Sequence, residues 1–408
     1  MKTNLQRYFA LTLLVIASQI LSSCDSFVED THKPFDSISD VQLDSESEVG
    51  FLISGVQTRF AHTYAFVSVY AGGLSDELVY TELAPGATWP EYREIDAGNI
   101  PPSSFQMEDL SVILGELRFY ADDLLERLDR ISFSDPDLEN EARFVSNFYG
   151  GVARYFYATY WGLDPTNGGG VISASASELG SFIPSMEMYD LAGAKLNAAM
   201  AFASTSQAQF IQTLLARIAL FQGDYEAART AASNGMREGS PPFEALFSLE
   251  RSNAWLWEAG VRRAHLVTDD RYVGYLNADP SEVGRILLAP TPSFDGSALF
   301  VPGFYPQETS TIPFLTWQEN ELILAEIEIR TGDEPSALSR INQVRASHGV
   351  SPATSATLED LIVERDKELF AKGMRLPDQR RFDIWHLGAG TWQYLPIALT
   401  ERSQNPNL

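Results

Sequence analysis

The sequence predicts an all-α fold, built mainly from helix pairs that are separated by long, loop-rich insertions. From about residue 49 onward, apolar residues recur every three or four positions, which is the period of an α-helix. A helix–turn–helix pattern occurs twice. Strict alternation of apolar and polar residues, which marks a half-buried strand, is scarce. These observations predict one helical domain over residues 49–408.

Composition restricts the classes of function. The chain has 408 residues and a formal net charge of −26, and because such a field repels phosphate we expect no nucleic-acid partner. Cys24 is the only cysteine, which excludes an intrachain disulfide and a cysteine-based metal cluster. The five histidines form neither an HExxH motif nor a close pair, so we expect no metal and no cofactor.

Residues 1–23 predict a lipoprotein signal peptide. Lys2 and Arg7 come before an apolar segment, residues 9–20, that is shorter than the ~20 residues a membrane span needs. Leu21-Ser22-Ser23-Cys24 resembles a bacterial lipobox, so we expect lipidation at Cys24. Acyl chains would anchor the protein to a membrane that it does not span, and residues 24–48 would form an acidic tether. A general secretory signal that happens to carry a cysteine is the alternative.

Helical periodicity continues through most of the chain. We expect helices at 50–65, 110–130, 139–161, 187–203, 207–222, 224–238, 316–331, 335–347, 357–372 and 378–387. Long loops are expected at 80–105, 162–184 and 268–315, and loops of this length often carry function. We expect a bend at Gly150-Gly151, and a flexible loop at Gly168-Gly169-Gly170, which is not a phosphate-binding motif.

One internal repeat supports the helix-pair prediction. Leu215-Ala216, Gly223-Asp224 and Ala228 recur, 109 residues later, as Leu324-Ala325, Gly332-Asp333 and Ala337. Small alanines let two antiparallel helices approach closely, and glycine ends the first helix in a left-handed conformation. The pattern matches the middle of a tetratricopeptide repeat, and it predicts helix pairs near 207–238 and 316–347.

Residues 342–408 carry the most specific motifs. Asn342-Gln343-Val344-Arg345-Ala346 comes first, and Leu395-Pro396-Ile397 and Asn405-Pro406-Asn407-Leu408 come last. Between them lie Glu364, Arg365, Glu368, Leu369, Gly373, Arg375, Asp378 and Arg381. These motifs resemble the C-terminal signature of the SusD/RagB family of nutrient-uptake outer membrane lipoproteins, although Lys372, Leu376 and Pro377 depart from it.

The resemblance implies a SusD-like fold that contains tetratricopeptide-type helix pairs. It also implies a lipid-anchored protein of the outer membrane, at the cell surface, that binds a nutrient ligand such as a glycan or oligosaccharide. The implied partner is a TonB-dependent, SusC-like outer-membrane transporter that receives the ligand, and the implied role is binding and not catalysis. The charged signature residues alternate in sign at helical spacing, so we interpret them as ion pairs that hold the last helices together.

Candidate ligand residues are aromatic and polar side chains in the long loops, because sugars offer flat apolar faces and rings of hydroxyls. They are Trp89, Tyr92 and Arg93 in the first loop, Asp76 just before it, and Tyr272 and Tyr275 in the last. Packing in the core is the alternative for each of them. We expect Trp255 and Trp257 to be packing residues.

Two other classes of function stay open at this point. A periplasmic scaffold of the tetratricopeptide type would bind peptides or assembly partners in a concave groove. A carbohydrate-active enzyme would use two of the many carboxylates as acid and base, but no GxSxG motif is present.

Overall fold

The computed structural model describes residues 39–173 and 178–408. Its α-helices are α1 (Glu46–Leu74), α2 (Glu91–Asp96), α3 (Phe105–Leu128), α4 (Pro136–Tyr160), α5 (Ser185–Ala199), α6 (Thr205–Gln222), α7 (Tyr225–Ser233), α8 (Trp255–Glu258), α9 (Asp270–Ala278), α10 (Trp317–Arg330), α11 (Glu334–Ser347), α12 (Leu358–Glu368), α13 (Arg375–Arg381) and α14 (Leu399–Gln404). The predicted signal peptide, Cys24 and most of the predicted tether lie outside the described residues. The all-α prediction is confirmed.

Ten short strands accompany the helices in the described part of the chain. They are β1 (Leu78–Val79), β2 (Trp161–Asp164), β3 (Asn167–Val171), β4 (Phe182–Pro184), β5 (Phe243–Ala245), β6 (Val267–Thr268), β7 (Leu288–Thr291), β8 (Leu299–Pro302), β9 (Ile312–Leu315) and β10 (Leu395–Pro396). The order β10-β2-β3-β4 makes one sheet, in which β10 runs parallel to β2. The pairs β1-β6, β5-β9 and β7-β8 are antiparallel.

The glycine run at 168–170 is not a flexible loop, and that prediction is wrong. It forms the middle of β3 and is buried. A Cβ added to Gly168 would lie 2.2 Å from the ring of Tyr394, and one added to Gly170 would lie 2.5 Å from the ring of Tyr157. Glycine is therefore required because two aromatic rings pack directly on the strand backbone. The helix α4 continues through Gly150 and Gly151.

The repeated Gly-Asp turns form two closely similar helix ends. Gly223 has φ +76° and Gly332 has φ +82°. The N–H of Asp224 donates to the carbonyl of Ala219 at 2.9 Å, and the N–H of Asp333 donates to that of Glu328 at 2.8 Å. Each aspartate side chain then caps the next helix. In both pairs, therefore, the first helix ends and the second begins in the same way.

A buried ion pair joins the two repeats. Arg217 on α6 donates from Nε to Oε1 of Glu319 on α10 at 2.6 Å, and both side chains are at most 2% exposed. Arg217 also donates to the carbonyl of Phe314 at 2.6 Å and lies over its ring at 4.9 Å. The repeats are therefore separated in sequence but packed against each other in space.

The charged C-terminal signature forms ion pairs inside the fold. Arg365 contacts Asp378 at 2.8 Å, Arg381 contacts Asp378 at 2.7 Å, and Arg381 also reaches Glu326 on α10 at 2.7 Å. At Gly373, a Cβ would lie 2.8 Å from the Cα of Ser68 on α1. These contacts support the structural interpretation of the signature, because they fix α12 and α13 against α10 and α1.

Candidate functional site

An exposed aromatic surface lies where the first long loop meets α3 and residues 263–265. We call Trp89, Phe105, Arg263 and His265 the Trp89 patch. Trp89 is 41% exposed and Phe105 is 63% exposed, and their ring centroids are 6.5 Å apart at a steep angle. The Arg263 guanidinium lies over the indole at 5.9 Å. Flat apolar faces and a cationic donor are thus presented together to solvent.

The layer beneath Trp89 is buried and polar. His265 stacks on Tyr92 with a centroid distance of 4.5 Å, and the Tyr92 hydroxyl donates to Glu258. Burial and the charge of Arg263 lower the pKa of His265 to about 4. Burial raises the pKa of the Glu258 carboxyl, because there too it disfavours the charged form. The imidazole is therefore neutral at neutral pH, and it supports the indole without adding charge to the patch.

One glycine lets the loop reach this position. A Cβ on Gly86 would lie 2.5 Å from the carbonyl oxygen of Ala264, so only glycine allows the two backbones to touch. The contact also lets Arg263 donate to the hydroxyl of Thr88 at 2.5 Å. The loop before Trp89 is thus held against residues 263–264, which positions the indole.

The first-loop candidates have different environments. Trp89 is exposed, Tyr92 is fully buried on α2, and Arg93 projects outward in a 3.6 Å ion pair with Glu82. Sequence reasoning missed Phe105, Arg263 and His265. Phe105 had an available signal, because it begins an apolar i, i+7, i+14 series with Val112 and Phe119 that faces solvent.

The remaining candidates meet in the protein interior around Asp366. Its carboxylate accepts from the hydroxyl of Tyr272 at 2.8 Å, from that of Tyr275 at 3.0 Å and from Nε of Arg271 at 2.9 Å. The side chain of Asp366 is 1% exposed. We call Asp76, Arg271, Tyr272, Tyr275, Asp366 and Arg375 the Asp366 network.

Asp76 joins the same network through two arginines. It accepts from Arg375 at 2.6 and 2.8 Å and from Arg271 at 3.0 Å. Burial opposes ionisation of Asp76, but the hydrogen bond from Arg375 and the charge of Arg271 outweigh it and lower its pKa. The structure thus brings Asp76, Tyr272 and Tyr275 together, but as parts of a half-buried to buried charge network. Their contact with a ligand stays a prediction.

Both tryptophans of α8 were expected to pack. Trp255 is fully buried and donates from Nε1 to the Ser68 hydroxyl at 2.8 Å, which agrees with that expectation. Trp257 is 38% exposed with the Arg262 guanidinium 5.5 Å from its ring, so the packing prediction is wrong there. A single turn of helix points the two side chains in different directions.

The described residues contain neither a metal-binding cluster nor a helix that could span a membrane. In residues 39–173 and 178–408, no cluster of three or more His, Cys, Asp or Glu side chains is arranged to hold a metal ion. Over the same residues, no helix combines the length and apolar character that crossing a membrane requires.

Solved structures are similar to this chain over most of its length. A SusD superfamily protein from Bacteroides thetaiotaomicron has a TM-score of 0.73 at 18% identity, and 89% of this chain and 98% of that one are covered. A laminarin binding SusD-like protein has a TM-score of 0.71 at 14% identity, with 89% and 99% covered. Surface glycan-binding protein A from Bacteroides uniformis has a TM-score of 0.66 at 14% identity, with 89% and 98% covered.

No protein-family model matches the sequence, and neither does any curated protein. The resemblance carried by the C-terminal motifs is confirmed at the level of structure, because these similar solved structures are SusD superfamily or SusD-like proteins. The chain has the fold of the SusD superfamily.

Proposed function

We propose that this chain is a surface glycan-binding protein. The observation that carries the proposal is the Trp89 patch, in which an exposed indole and an exposed phenyl ring lie beside the Arg263 guanidinium. Sugar rings stack their apolar faces on such aromatic rings, and their hydroxyls accept from cationic donors. The structural neighbours that are named as laminarin-binding and glycan-binding proteins support this choice of ligand class.

Each candidate residue has a defined part in this proposal. Trp89 is the stacking platform, and Arg93 and Arg263 donate to hydroxyls at its edges. Tyr92 supports the indole from below through His265. Asp76, Tyr272 and Tyr275 act from the interior, because their network fixes the backbone of residues 267–272 beside β1.

The test is calorimetric titration of the purified protein with a panel of glycans. Trp89→Ala should weaken the binding of the glycan that is found by about tenfold or more, since exposed aromatic anchors commonly contribute that much. Phe51→Ala is the matched control, because Phe51 is 62% exposed but far from the patch. On the same helix, Tyr70 packs on Tyr92 at 6.1 Å, and Phe51 precedes Tyr70 by 19 residues, about 28 Å at ~1.5 Å per residue. Equal affinity of Trp89→Ala and wild type would contradict the proposal.

We further propose binding without turnover. The same glycan, incubated with the protein and then separated by chromatography, should be recovered intact. Release of shorter glycan products would instead support the alternative that the protein is a carbohydrate-active enzyme.

The membrane anchor and the transporter partner are a separate part of the proposal, and they rest on the lipobox-like sequence and the family resemblance. We propose that Cys24 is lipidated, that the protein is anchored at the outer membrane facing outward, and that it passes ligand to a TonB-dependent transporter. Mass spectrometry should find acyl groups on residue 24, and Cys24→Ser should release the protein from membranes. An unmodified Cys24, or no copurifying transporter, would contradict this part.

A second candidate function has one specific observation in its favour. A groove of about 800 Å³ lies along α5, α6 and α7, between Tyr189, Asn197, Gln212 and Thr230. Such a concave helical surface suits a peptide-binding scaffold. Peptide-library binding by the purified protein, with no glycan binding, would favour the scaffold over the glycan-binding protein.

A further inference from the structure

A cavity of about 270 Å³ lies between strands β5 and β9, residues 284–285 and the segment 370–372. None of its lining residues belongs to the Trp89 patch. Three aromatic rings line it, those of Phe304, Tyr305 and Phe370. Its volume equals roughly nine water molecules at ~30 Å³ each, so it suits a molecule of the size of an amino acid or a monosaccharide.

Several charges around the cavity are already matched within the protein. Arg285 contacts Glu282 at 2.7 Å and Glu364 at 2.5 Å. Glu368 lies 3.1 Å from Nε2 of His348 and 3.7 Å from Arg285. These groups form ion pairs with one another at one wall of the cavity.

Two opposite charges on the cavity wall are matched less closely than these. The half-buried carboxylate of Glu244 accepts from the Thr311 hydroxyl at 2.8 Å, and none of the ion pairs found in the described residues includes it. The Lys372 ammonium donates to the carbonyl of Glu368 at 2.6 Å, while its distance to the Glu368 carboxylate is a long 3.8 Å. An ammonium has three donors, so Lys372 keeps donors for a ligand.

The backbone around Lys372 is held in an unusual conformation. Ala371 has φ +60°, a left-handed conformation that is unfavourable for a residue with a Cβ. Its N–H donates to the buried carboxyl of Glu77, and its carbonyl accepts from the Tyr305 hydroxyl at 3.0 Å. The strained residue separates Phe370 from Lys372, and both of these side chains line the cavity.

One tyrosine fixes the two charged walls relative to each other. The Tyr64 hydroxyl lies 2.9 Å from the carbonyl of Pro313 and 3.1 Å from that of Lys372. Pro313 is the strand partner of Glu244 in the β5–β9 pair. The backbones that carry Glu244 and Lys372 are therefore held close together by a fully buried group, and the cavity is preorganised.

We propose that this cavity, the Lys372 pocket, binds a small zwitterion of the α-amino acid type. Its ammonium lies against Glu244 and the aromatic rings, whose faces attract cations, and its carboxylate accepts from Lys372. A neutral sugar would leave Glu244 without a counter-charge, and Lys372 with only its long contact to Glu368, in a partly desolvated site, which is unfavourable. A simple anion would meet the carboxylates of Glu244 and Glu368. The proposal does not depend on the glycan-binding function.

Calorimetric titration of the full protein with free amino acids at neutral pH tests the proposal. We expect at least one amino acid to bind, and we expect its amide, which lacks the carboxylate, and its N-acetyl derivative, which lacks the ammonium, each to bind at least tenfold more weakly. Glucose should not compete. No binding by any amino acid would overturn the proposal with the wild-type protein alone. So would an amide and an N-acetyl derivative that each bind as tightly as the amino acid itself.

Two variants test which protein charge contacts which end of the ligand. Glu244→Gln should weaken the amino acid but leave the N-acetyl derivative unchanged, and Lys372→Gln should weaken the amino acid but leave the amide unchanged. Glu141→Gln, an exposed carboxylate on α4, is the matched control and should bind like wild type. Trp89→Ala should also bind the amino acid normally, which separates this site from the glycan site. If Glu244→Gln and Lys372→Gln both bound the amino acid as tightly as the wild type, the proposal would be wrong.

Discussion

At the scale of single residues, the most unusual group is the carboxyl of Glu77. It is fully buried, and its Oε2 has no hydrogen-bond partner in the described structure. Burial raises its pKa to about 8, against the hydrogen bond from Ala371, and nearby Asp366 raises it further. Glu77 is therefore protonated at neutral pH, and it holds the strained Ala371 as a neutral acid.

A raised pKa in the folded state makes stability depend on pH with a known sign. Between pH 4.5 and 8 the folded protein keeps a proton that the unfolded chain has lost, so the free energy of unfolding falls as pH rises. The slope from this group is at most about 1.4 kcal/mol per pH unit. Glu77→Gln should remove that slope. Urea unfolding of both proteins from pH 5 to 8 measures it, and parallel curves would contradict the assignment.

A second residue-scale prediction concerns Asp366. Asp366→Asn removes one carboxylate from both Arg271 and Arg375, which keep Asp76, and Arg271 also keeps Asp269 at 3.3 Å. Removing one partner of a buried pair costs at most about 3–5 kcal/mol. Urea unfolding should show that loss, while Glu126→Gln, an exposed carboxylate on α3, should change stability little. A loss no larger than that of the control would argue against a structural role for the network.

At the scale of elements, we expect glycine-to-alanine changes to have opposite effects on stability in the two Gly-Asp turns and inside a helix. No atom lies within 4 Å of a Cβ added at Gly223, at Gly332 or at Gly115 in α3, so only conformation differs. Gly332→Ala and Gly223→Ala should each cost about 1–2 kcal/mol, because both have positive φ. Gly115→Ala should stabilise by about 0.5–1 kcal/mol, because alanine favours a helix interior. Thermal unfolding distinguishes these signs, and a destabilised Gly115→Ala would contradict the reasoning.

The long helices could be predicted from sequence because their signal is local. The period of apolar residues marks α3, α4, α6 and α10, and the paired Gly-Asp turns mark where two of them end. The strands β1, β6 and β10 could not be predicted, because they have two residues each and pair with partners far away in sequence. The sequence predicts a loop where helix α9 forms, because the few apolar residues of this segment give a weak period, although Asp269 caps the helix.

The candidate site was predictable only in part, and for the same reason. Trp89 and Arg93 are exposed, as their place in a long segment between predicted helices suggests. Burial of Tyr92 and Tyr272 depends on distant partners, Glu258 and Asp366, that no local pattern reveals. Arg263 and His265 lie more than 170 positions from Trp89 along the chain, so they could be found only once the fold was known.

At the scale of the whole molecule, the net charge of −26 produces repulsion that the folded state must withstand. Salt screens such repulsion between exposed charges much more than it weakens buried pairs such as Arg217–Glu319. Raising NaCl from low to physiological concentration should therefore raise the melting temperature. Differential scanning calorimetry checks this, and a melting temperature that falls with salt would show that surface ion pairs outweigh the repulsion.

The parallel pairing of β10 with β2 has a consequence for how the chain is made. Residues 161–162 leave the ribosome long before their neighbours at 395–396. Until those arrive, β2 presents an open edge, and an open edge is a template for pairing with a second chain. This edge of the sheet is therefore completed only after more than 230 further residues have been made.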